Sequence, residues 1–404
     1  MAAGRMTGLL PFEAALEQLL AGAASLPAQT LPLSDAYGRV LAAPLAASLT
    51  QPPFAAAAMD GYAVRWADLP GPFTLVGTSA AGHGWPGVMT PGEAVRIFTG
   101  APLPAGADTI AVQEDMTAKD EGVHLSGEGP PHQGAHVRGA GQDFQAGDIL
   151  IAAGTRLAAA HLGLAAAAGH GTLPVVRRPR VTLIANGDEL VRPGSTPGPD
   201  QIISSNPAML AALFAAAGAD VSDPGIIPDH PGALAAAVTG ADADIIVTIG
   251  GASVGDHDLV VPVLRTLGAD LDFWRIAMRP GKLLLAGTLG GRRVIGLPGN
   301  PVSAFVTALL FVVPLIERLG GRAPGTQVLR LPLAAALPAN GARRDHLRAR
   351  RTPDGVTAFE RQDSALLSVL AAADVLIIRP PHATAAQIGA IVDCITLDMF
   401  QTVF

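Results

Sequence analysis

The pattern between Arg180 and Pro324 restricts the fold more than any other feature of the chain. Short apolar runs alternate there with stretches of helical period. Val181–Ala185 and Ile245–Ile249 read as strands buried on both faces. Val221–Ile227 (interrupted by Pro224), Leu271–Met278, Lys282–Ala286 and Arg293–Gly296 read as further strands. Between them, Ser205-Asn206-Pro207 opens a helix that Gly218 ends. Pro231–Val238 and Asp258–Leu267 are helical, and Pro301–Leu319 is a long helix opened by a proline. Strands and helices alternating in this way predict a multi-domain α/β chain whose central sheet is doubly wound, mostly parallel and covered on both faces.

The flanking segments follow other rules. Residues 11–21 predict an amphipathic helix, with Phe12, Ala15, Leu16, Leu19 and Leu20 on one face. Residues 31–53 are irregular and proline-rich. Residues 54–139 hold short runs (Phe73–Val76, Ala94–Phe98, Thr109–Val112) between Gly/Pro clusters, as antiparallel strands with turns do. Residues 118–142 read as polar loop, and Ala158–Ala168 as a helix. After Pro324 short strands return at Val328–Leu331, Val375–Arg379 and Ala390–Leu397. The expected domains are an extended N-terminal linker domain (1–53 and 140–178), a β-rich insert (54–139), the α/β domain (179–324) and a small C-terminal β domain (325–404).

Charge and composition exclude several functions. The net charge of −7 argues against a nucleic-acid partner, which needs a basic footprint. Cys394 is the only cysteine, so one chain holds neither a disulfide nor a multi-cysteine metal site. The longest apolar run, Val302–Ile316, falls short of the ~20 residues of a bilayer span and contains Pro314. Glu13 and Glu17 interrupt any signal-peptide core. The expectation is a cytoplasmic protein without a membrane span. Of 27 basic residues only Lys119 and Lys282 are lysines, as a GC-rich coding bias would produce.

In an open α/β sheet, ligands bind outside the carboxyl ends of the strands. The loops expected there are Asn186-Gly187-Asp188-Glu189, Pro228-Asp229-His230, the stretch from Gly250 to Asp258, Arg279-Pro280-Gly281-Lys282 and Leu297-Pro298-Gly299-Asn300-Pro301. Gly250, Gly251 and Gly255 allow backbone N–H groups to approach an anion. Helix N-termini after Asp258 and Pro301 add dipoles worth about 0.3–1 kcal/mol each. Arg275, Arg279 and Lys282 supply charged donors. Asp188, Glu189, Asp229, Asp256 and Asp258 are more acids than an anion pocket tolerates unless a hard cation such as Mg2+ joins them; helix capping is the competing role.

Two patterns compete with this reading. Gly82-His83-Gly84-Trp85-Pro86-Gly87 fits GxGxxG, but Pro86 and Pro91 deny it the helix that a dinucleotide site needs. Gly251-Ala252-Ser253-Val254-Gly255 fits the GxSxG elbow of a serine hydrolase, for which His346 and His382 are the downstream histidines. The loop after Gly250 lacks the Walker lysine. His132 and His136 lie in Pro/Gly-rich sequence and carry no metal motif.

Six motifs in order carry a resemblance across nearly the whole chain. They are Met59-Asp60-Gly61-Tyr62-Ala63, the stretch from Arg96 to Pro104, Gly187-Asp188-Glu189-Leu190, Gly250 to Gly255, Arg279 to Lys282, and Leu297 to Ser303. Together they resemble the MoeA/gephyrin family of molybdopterin molybdenumtransferases. The resemblance implies a molybdopterin-binding-like α/β domain and a barrel-like C-terminal domain. It implies insertion of molybdenum from molybdate into adenylylated molybdopterin, with Mg2+-dependent release of AMP, by a homodimer. Pathway partners would be the adenylyltransferase that precedes this step and apo-molybdoenzymes.

Residue by residue, the resemblance makes Asp60, Thr99, Glu189, Asp229, Asp258 and Lys282 catalytic. Substrate binding falls to Asp143, Gly250, Gly251, Ser253, Gly255, Arg275, Arg279, Pro298, Asn300 and Pro301. Glu189, Asp229 and Asp258 would hold Mg2+, and Arg348 and Ser368 molybdate. Arg275 and Arg279 stand where the family often has lysine, and Asp363-Ser364-Ala365 replaces a usual Gly-Ser-Gly. A non-catalytic molybdopterin-binding scaffold and a serine hydrolase using Ser253 are the alternative functions.

Overall fold

Alternate residues of the central strands face two different cores. Val181, Leu183 and Ala185 point to one, and Ile184 to the other. Ile245, Val247 and Ile249 share the first core, while Ile246 joins the second. The pleat sends neighbours to opposite faces, so an unbroken apolar run requires cover on both. Helices Phe12–Leu20, Asn206–Ala216 and Pro301–Leu319 cover one face; Pro231–Gly240 and Val260–Thr266 cover the other. This computed structural model describes residues 9–119, 122–250, 259–325 and 328–397.

The sheet has seven strands. Arg180–Asn186 pairs in parallel with Asp220–Ser222 and Ile226–Ile227 on one side and with Ile245–Ile249 on the other. Arg292–Leu297 continues the parallel set; Leu283–Leu289 and Asp270–Arg275 close the edge antiparallel. Pro224 splits its strand in two, since it has no N–H to give the ladder. Gly218 follows the helix it ends with φ +101°.

One expectation fails here. Leu271–Met278 is not one strand: Met278–Arg279 leaves the sheet and pairs in parallel with Arg344 and Asp345. The long helix runs over Pro301–Leu319 as expected, through Pro314. A π-helical stretch, Ala308–Val312, sits just before Val313–Leu319 and accommodates the missing N–H. The 19-residue helix is apolar enough for a bilayer, but 89% of its apolar window is buried in the chain's own core.

The chain divides into two compact units. Thr30–Tyr37 and Ala43–Pro174 form one; Met1–Gln29, Gly38–Ala42 and Val175–Phe404 form the other. The first carries a six-stranded sheet in the order Thr109–Val112, Gly61–Val64, Glu93–Ile97, Phe73–Ser79, Gly122–Leu125, Met116–Lys119. It is not wholly antiparallel: Phe73–Ser79 and Glu93–Ile97 run in parallel. The stretch read as loop, 118–142, contains part of the Met116–Lys119/Gly122–Leu125 hairpin and Val137–Arg138. Turns rather than a helix follow Gly82–Gly87.

The second unit also holds the C-terminal sheet, in the order Met278–Arg279, Arg344–Thr352, Val375–Arg379, Ile391–Thr396, Val328–Pro332, with Gly355–Ala358 in a hairpin on Arg344–Thr352. A bridge from Leu333 to Val356 links its far strands.

Candidate functional site

Four parallel segments end at the same edge of the central sheet, and their loops carry the acids and glycines. Asp188 follows Arg180–Asn186, and Asp229 follows Ile226–Ile227. Main chain and side chain lock these loops reciprocally. The Asp229 N–H donates to Asp188 Oδ1 (3.1 Å), and the Asp188 N–H donates to Asp229 Oδ2 (3.3 Å). Asn186 Nδ2 donates to Asp229 Oδ1 (2.8 Å). Each carboxylate oxygen keeps a lone pair for a further ligand. The Glu189 carboxylate folds back against Gly187, in the space a side chain there would fill. His230, not an acid, caps the following helix: its Nδ1 accepts from the Gly232 N–H at 3.2 Å.

The next two loops nearly touch. Gly250, at φ +87°, lies with its Cα 4.0 Å from the Cβ position of Gly299. The Gly250 N–H donates to the Leu297 carbonyl at 3.0 Å. A methyl at Gly299 would stand in ordinary contact with Gly250, and what calls for glycine at position 250 is its left-handed φ rather than lack of space. Asn206 Nδ2 donates to the Gly299 carbonyl (2.7 Å), while its Oδ1 is buried without a partner. Pro301 fills the first turn of its helix, with Asn300 exposed at the N-cap. Gly251, Ser253, Gly255 and Asp258 lie outside the described residues.

Arg275 is exposed on the edge strand of the same sheet and Lys282 is exposed just before the neighbouring strand, whereas Arg279 is exposed on Met278–Arg279, which belongs to the C-terminal sheet. Arg279 reaches toward Asp345 at 4.0 Å. Arg348 is 1% exposed on its strand. Its Nε donates to Gln362 Oε1 (3.1 Å) and its Nη1 to the Asp363 carbonyl (2.8 Å). Burial lowers its affinity for the proton, with the Asp363 charge opposing. Ser368 is exposed on helix Leu367–Ala371, and no hydrogen bond joins it to Arg348 among the described residues. The loop before that helix docks on the Pro301 helix, where Val302 N–H donates to the Ser364 carbonyl (3.1 Å). Gln362 and Asp345 were not singled out from sequence, because nothing local marks them.

Asp60, Thr99 and Asp143 belong to the other unit. Gly61 and Ile97 are register partners, which puts Asp60 beside the turn after Ile97. The Thr99 N–H (2.7 Å) and hydroxyl (2.8 Å) both donate to Asp60 Oδ1. These two bonds hold the Asp60 carboxyl below its usual range, with Arg96 helping. Asp143 is exposed, and its N–H donates to the Gln51 carbonyl (3.0 Å).

The comparisons identify the family behind this arrangement. A model of the MoeA N-terminal region (domain I and II) matches residues 10–169. A model of a probable molybdopterin binding domain matches 182–318, and one of the MoeA C-terminal region (domain IV) matches 330–397. A molybdopterin molybdenumtransferase of Nostoc sp. is 40% identical over 302 residues, covering 72% of this chain and 69% of its own. The chain belongs to the MoeA family of molybdopterin molybdenumtransferases. A second member, from Synechococcus elongatus, is 36% identical over 380 residues, covering 90% of this chain and 93% of its own. The crystal structure of a MoeA protein from Pyrococcus horikosii superposes with a TM-score of 0.83 at 29% identity, covering 96% of this chain and 99% of that one. The MoeA family fold, an N-terminal region, a doubly wound domain and a C-terminal β domain, is thus the fold of this chain.

Proposed function

We propose that this chain inserts molybdenum from molybdate into adenylylated molybdopterin and releases AMP, in the synthesis of the molybdenum cofactor. The observation that carries the reading is the edge at which locked carboxylates, Asp188 and Asp229, share the strand ends with the closely approaching glycines Gly250 and Gly299. Glycine-lined backbone suits a pyrophosphate, and carboxylates suit the cation that accompanies it.

The donor set fits Mg2+. It is all oxygen, and Asp229 retains lone pairs after its hydrogen bonds. Among the described residues no three acids or histidines converge on one point. Glu189 and Asp229 would hold the ion, with Asp258 as the expected third ligand. Bound there, Mg2+ supplies positive charge against the pyrophosphate and the departing AMP. Lys282 and Arg279 would add charged donors to the substrate, and Arg348, now held by Gln362 and the Asp363 carbonyl, would with Ser368 serve molybdate. No protein nucleophile is required, because an oxyanion oxygen can itself attack phosphorus.

The reading includes a cytoplasmic homodimer in which Asp60, Thr99 and Asp143 complete the partner's site. The hydrolase alternative finds little support. His346, one of its two histidines, is 1% exposed against Phe12 and held neutral.

The deciding experiment incubates the chain with adenylylated molybdopterin, Mg2+ and molybdate, then measures AMP and active cofactor. Molybdate-dependent AMP release supports the reading; tight binding without release supports the scaffold. Mixing inactive Asp60→Ala with inactive Asp229→Ala, under conditions of subunit exchange, should restore roughly a quarter of the sites of a dimer that shares them. No restoration refutes the shared site.

A further inference from the structure

A cavity of about 670 Å3 lies in the larger unit, beside the Arg-Pro-Gly-Lys loop. Its charged lining is Arg279, Lys282, Arg343 and Arg379 against Asp345 and Glu360. Strand pairing decides which of these meet. Arg279 is the register partner of Asp345 on one side, and Arg379 on the other. Arg379 is otherwise engaged: it is buried, and its Nη2 donates to the carbonyls of Pro338 (3.1 Å) and Thr384. Arg344, beside Asp345, turns away to Glu13 and the Phe12 ring.

Asp345 is thus left to Arg279 and Arg343, with Lys282 in the next loop and Glu360 elsewhere on the wall. Its Oδ2 lies 4.0 Å from Arg279 Nη1, and its side chain is 14% exposed against 56% for Arg279. Burial pushes the Asp345 carboxyl above its usual range, and the Arg279 and Arg343 charges only partly oppose this. Such a carboxylate is loosely paired and costly to keep ionised.

We propose that Asp345 is an affinity-setting counter-ion of this cavity: it offsets the charge of Arg279 and Arg343, so an entering oxyanion must compete with a resident carboxylate. The inference rests on the reading above, in which Arg279 is a charged donor to the oxyanions of the substrates, and molybdate is the oxyanion used to probe it. Removing the carboxylate frees Arg279 and strengthens oxyanion binding. Because Arg279 is more than half exposed, solvent screening limits the gain to roughly three- to tenfold.

The test uses the full chain and its Asp345→Asn and Asp345→Glu variants. Calorimetry with molybdate at about pH 7 reads affinity, and AMP release reads KM and kcat. Asp345→Asn should lower both Kd and molybdate KM by that factor, with kcat moving far less; Asp345→Glu should stay near wild type. Sulfate keeps its charge across the range and reports the pH profile. Its affinity for the wild type should tighten as pH falls toward the Asp345 titration, and its affinity for Asp345→Asn should stay flat. An unchanged Kd in a normally melting Asp345→Asn overturns the proposal. So does weakened binding that Asp345→Glu restores, because that result makes Asp345 an anchor rather than a competitor. The two readings separate cleanly: a chain that binds molybdate but releases no AMP defeats the proposed reaction while Kd still judges Asp345.

Discussion

Gly281→Ala tests how the Arg-Pro-Gly-Lys loop is seated. Gly281 has φ +88°, a left-handed conformation that costs a residue with a side chain roughly 1–2 kcal/mol. A methyl there would also collide with Thr307 Oγ1 and stand 3.5 Å from the Ser303 carbonyl. Thr307 is fully buried on helix Pro301–Thr307, so it has no room to yield. Overpacking of this kind adds about 1–3 kcal/mol. The expected loss is therefore about 2–5 kcal/mol. Thr307 Oγ1 has no hydrogen-bond partner, so Thr307→Ala alone should change stability by less than about 1 kcal/mol. The double variant should recover the collision and keep only the backbone strain, about 1–2 kcal/mol. Urea unfolding of all four proteins, with molybdate KM alongside, measures both parts. KM should rise in Gly281→Ala, because Lys282 is the next residue. A Gly281→Ala protein within about 0.5 kcal/mol of wild type refutes the reasoning, as does a double variant no better than the single.

Other outcomes follow from the same geometry. Glu189→Ala, Asp229→Ala and Asp258→Ala should each abolish Mg2+-dependent AMP release. Asp229→Ala should cost only about 1–2 kcal/mol of stability, since its bonds are exposed; full activity in these variants sinks the site assignment. His346 is buried with neither ring nitrogen in a well-formed hydrogen bond, and burial, helped by the Arg344 charge and opposed only by an Arg279 backbone contact, pushes its pKa down to about 3. The unfolded chain therefore binds a proton below about pH 6.5 that the native chain refuses. Stability contributed at this site falls by ~1.4 kcal/mol per pH unit as pH drops from there toward the native value. His346→Leu should be at least as stable as wild type near neutrality and lose this acid sensitivity, as thermal unfolding against pH will read. Burial alone would raise the Asp244 carboxyl, but the Arg177 fork (2.8 and 2.9 Å) and the Arg180 N–H (2.7 Å) hold it below its usual range. Its stabilisation is present above the unfolded pKa and lost as pH falls through the native one. Asp244→Ala should cost about 2–3 kcal/mol at neutral pH and flatten that part of the acid limb.

The helices and strands of the α/β domain were legible because each is specified by neighbours in sequence. Ile245–Ile249 matches its expected bounds, as does Val375–Arg379 in the C-terminal domain. The Arg344–Thr352 strand was not legible. Its sequence, Arg-Asp-His-Leu-Arg-Ala-Arg-Arg-Thr, shows no apolar alternation, yet it is the backbone of the C-terminal sheet. Arg348 is buried there because Gln362 and the Asp363 carbonyl satisfy its guanidinium, and neither partner is near it in sequence. Lys282 is one of two lysines among 25 arginines, and composition alone gives no reason for it. Its place on the cavity wall beside Arg279 supplies a setting in which a compact charge differs from a planar fork.

The sequence by itself determined the order of elements, the doubly wound core and the loops that carry chemistry. These follow from hydrophobic period, caps and chain direction, all local quantities. Only the tertiary structure decided that Met278–Arg279 joins the C-terminal sheet, that Asp188 and Asp229 lock to each other, and that Asp345 stands between two arginines. Those choices depend on which distant segments pair and which charges lose their water when they do. Pairing and desolvation are properties of the folded neighbourhood, and no stretch of the chain encodes them alone.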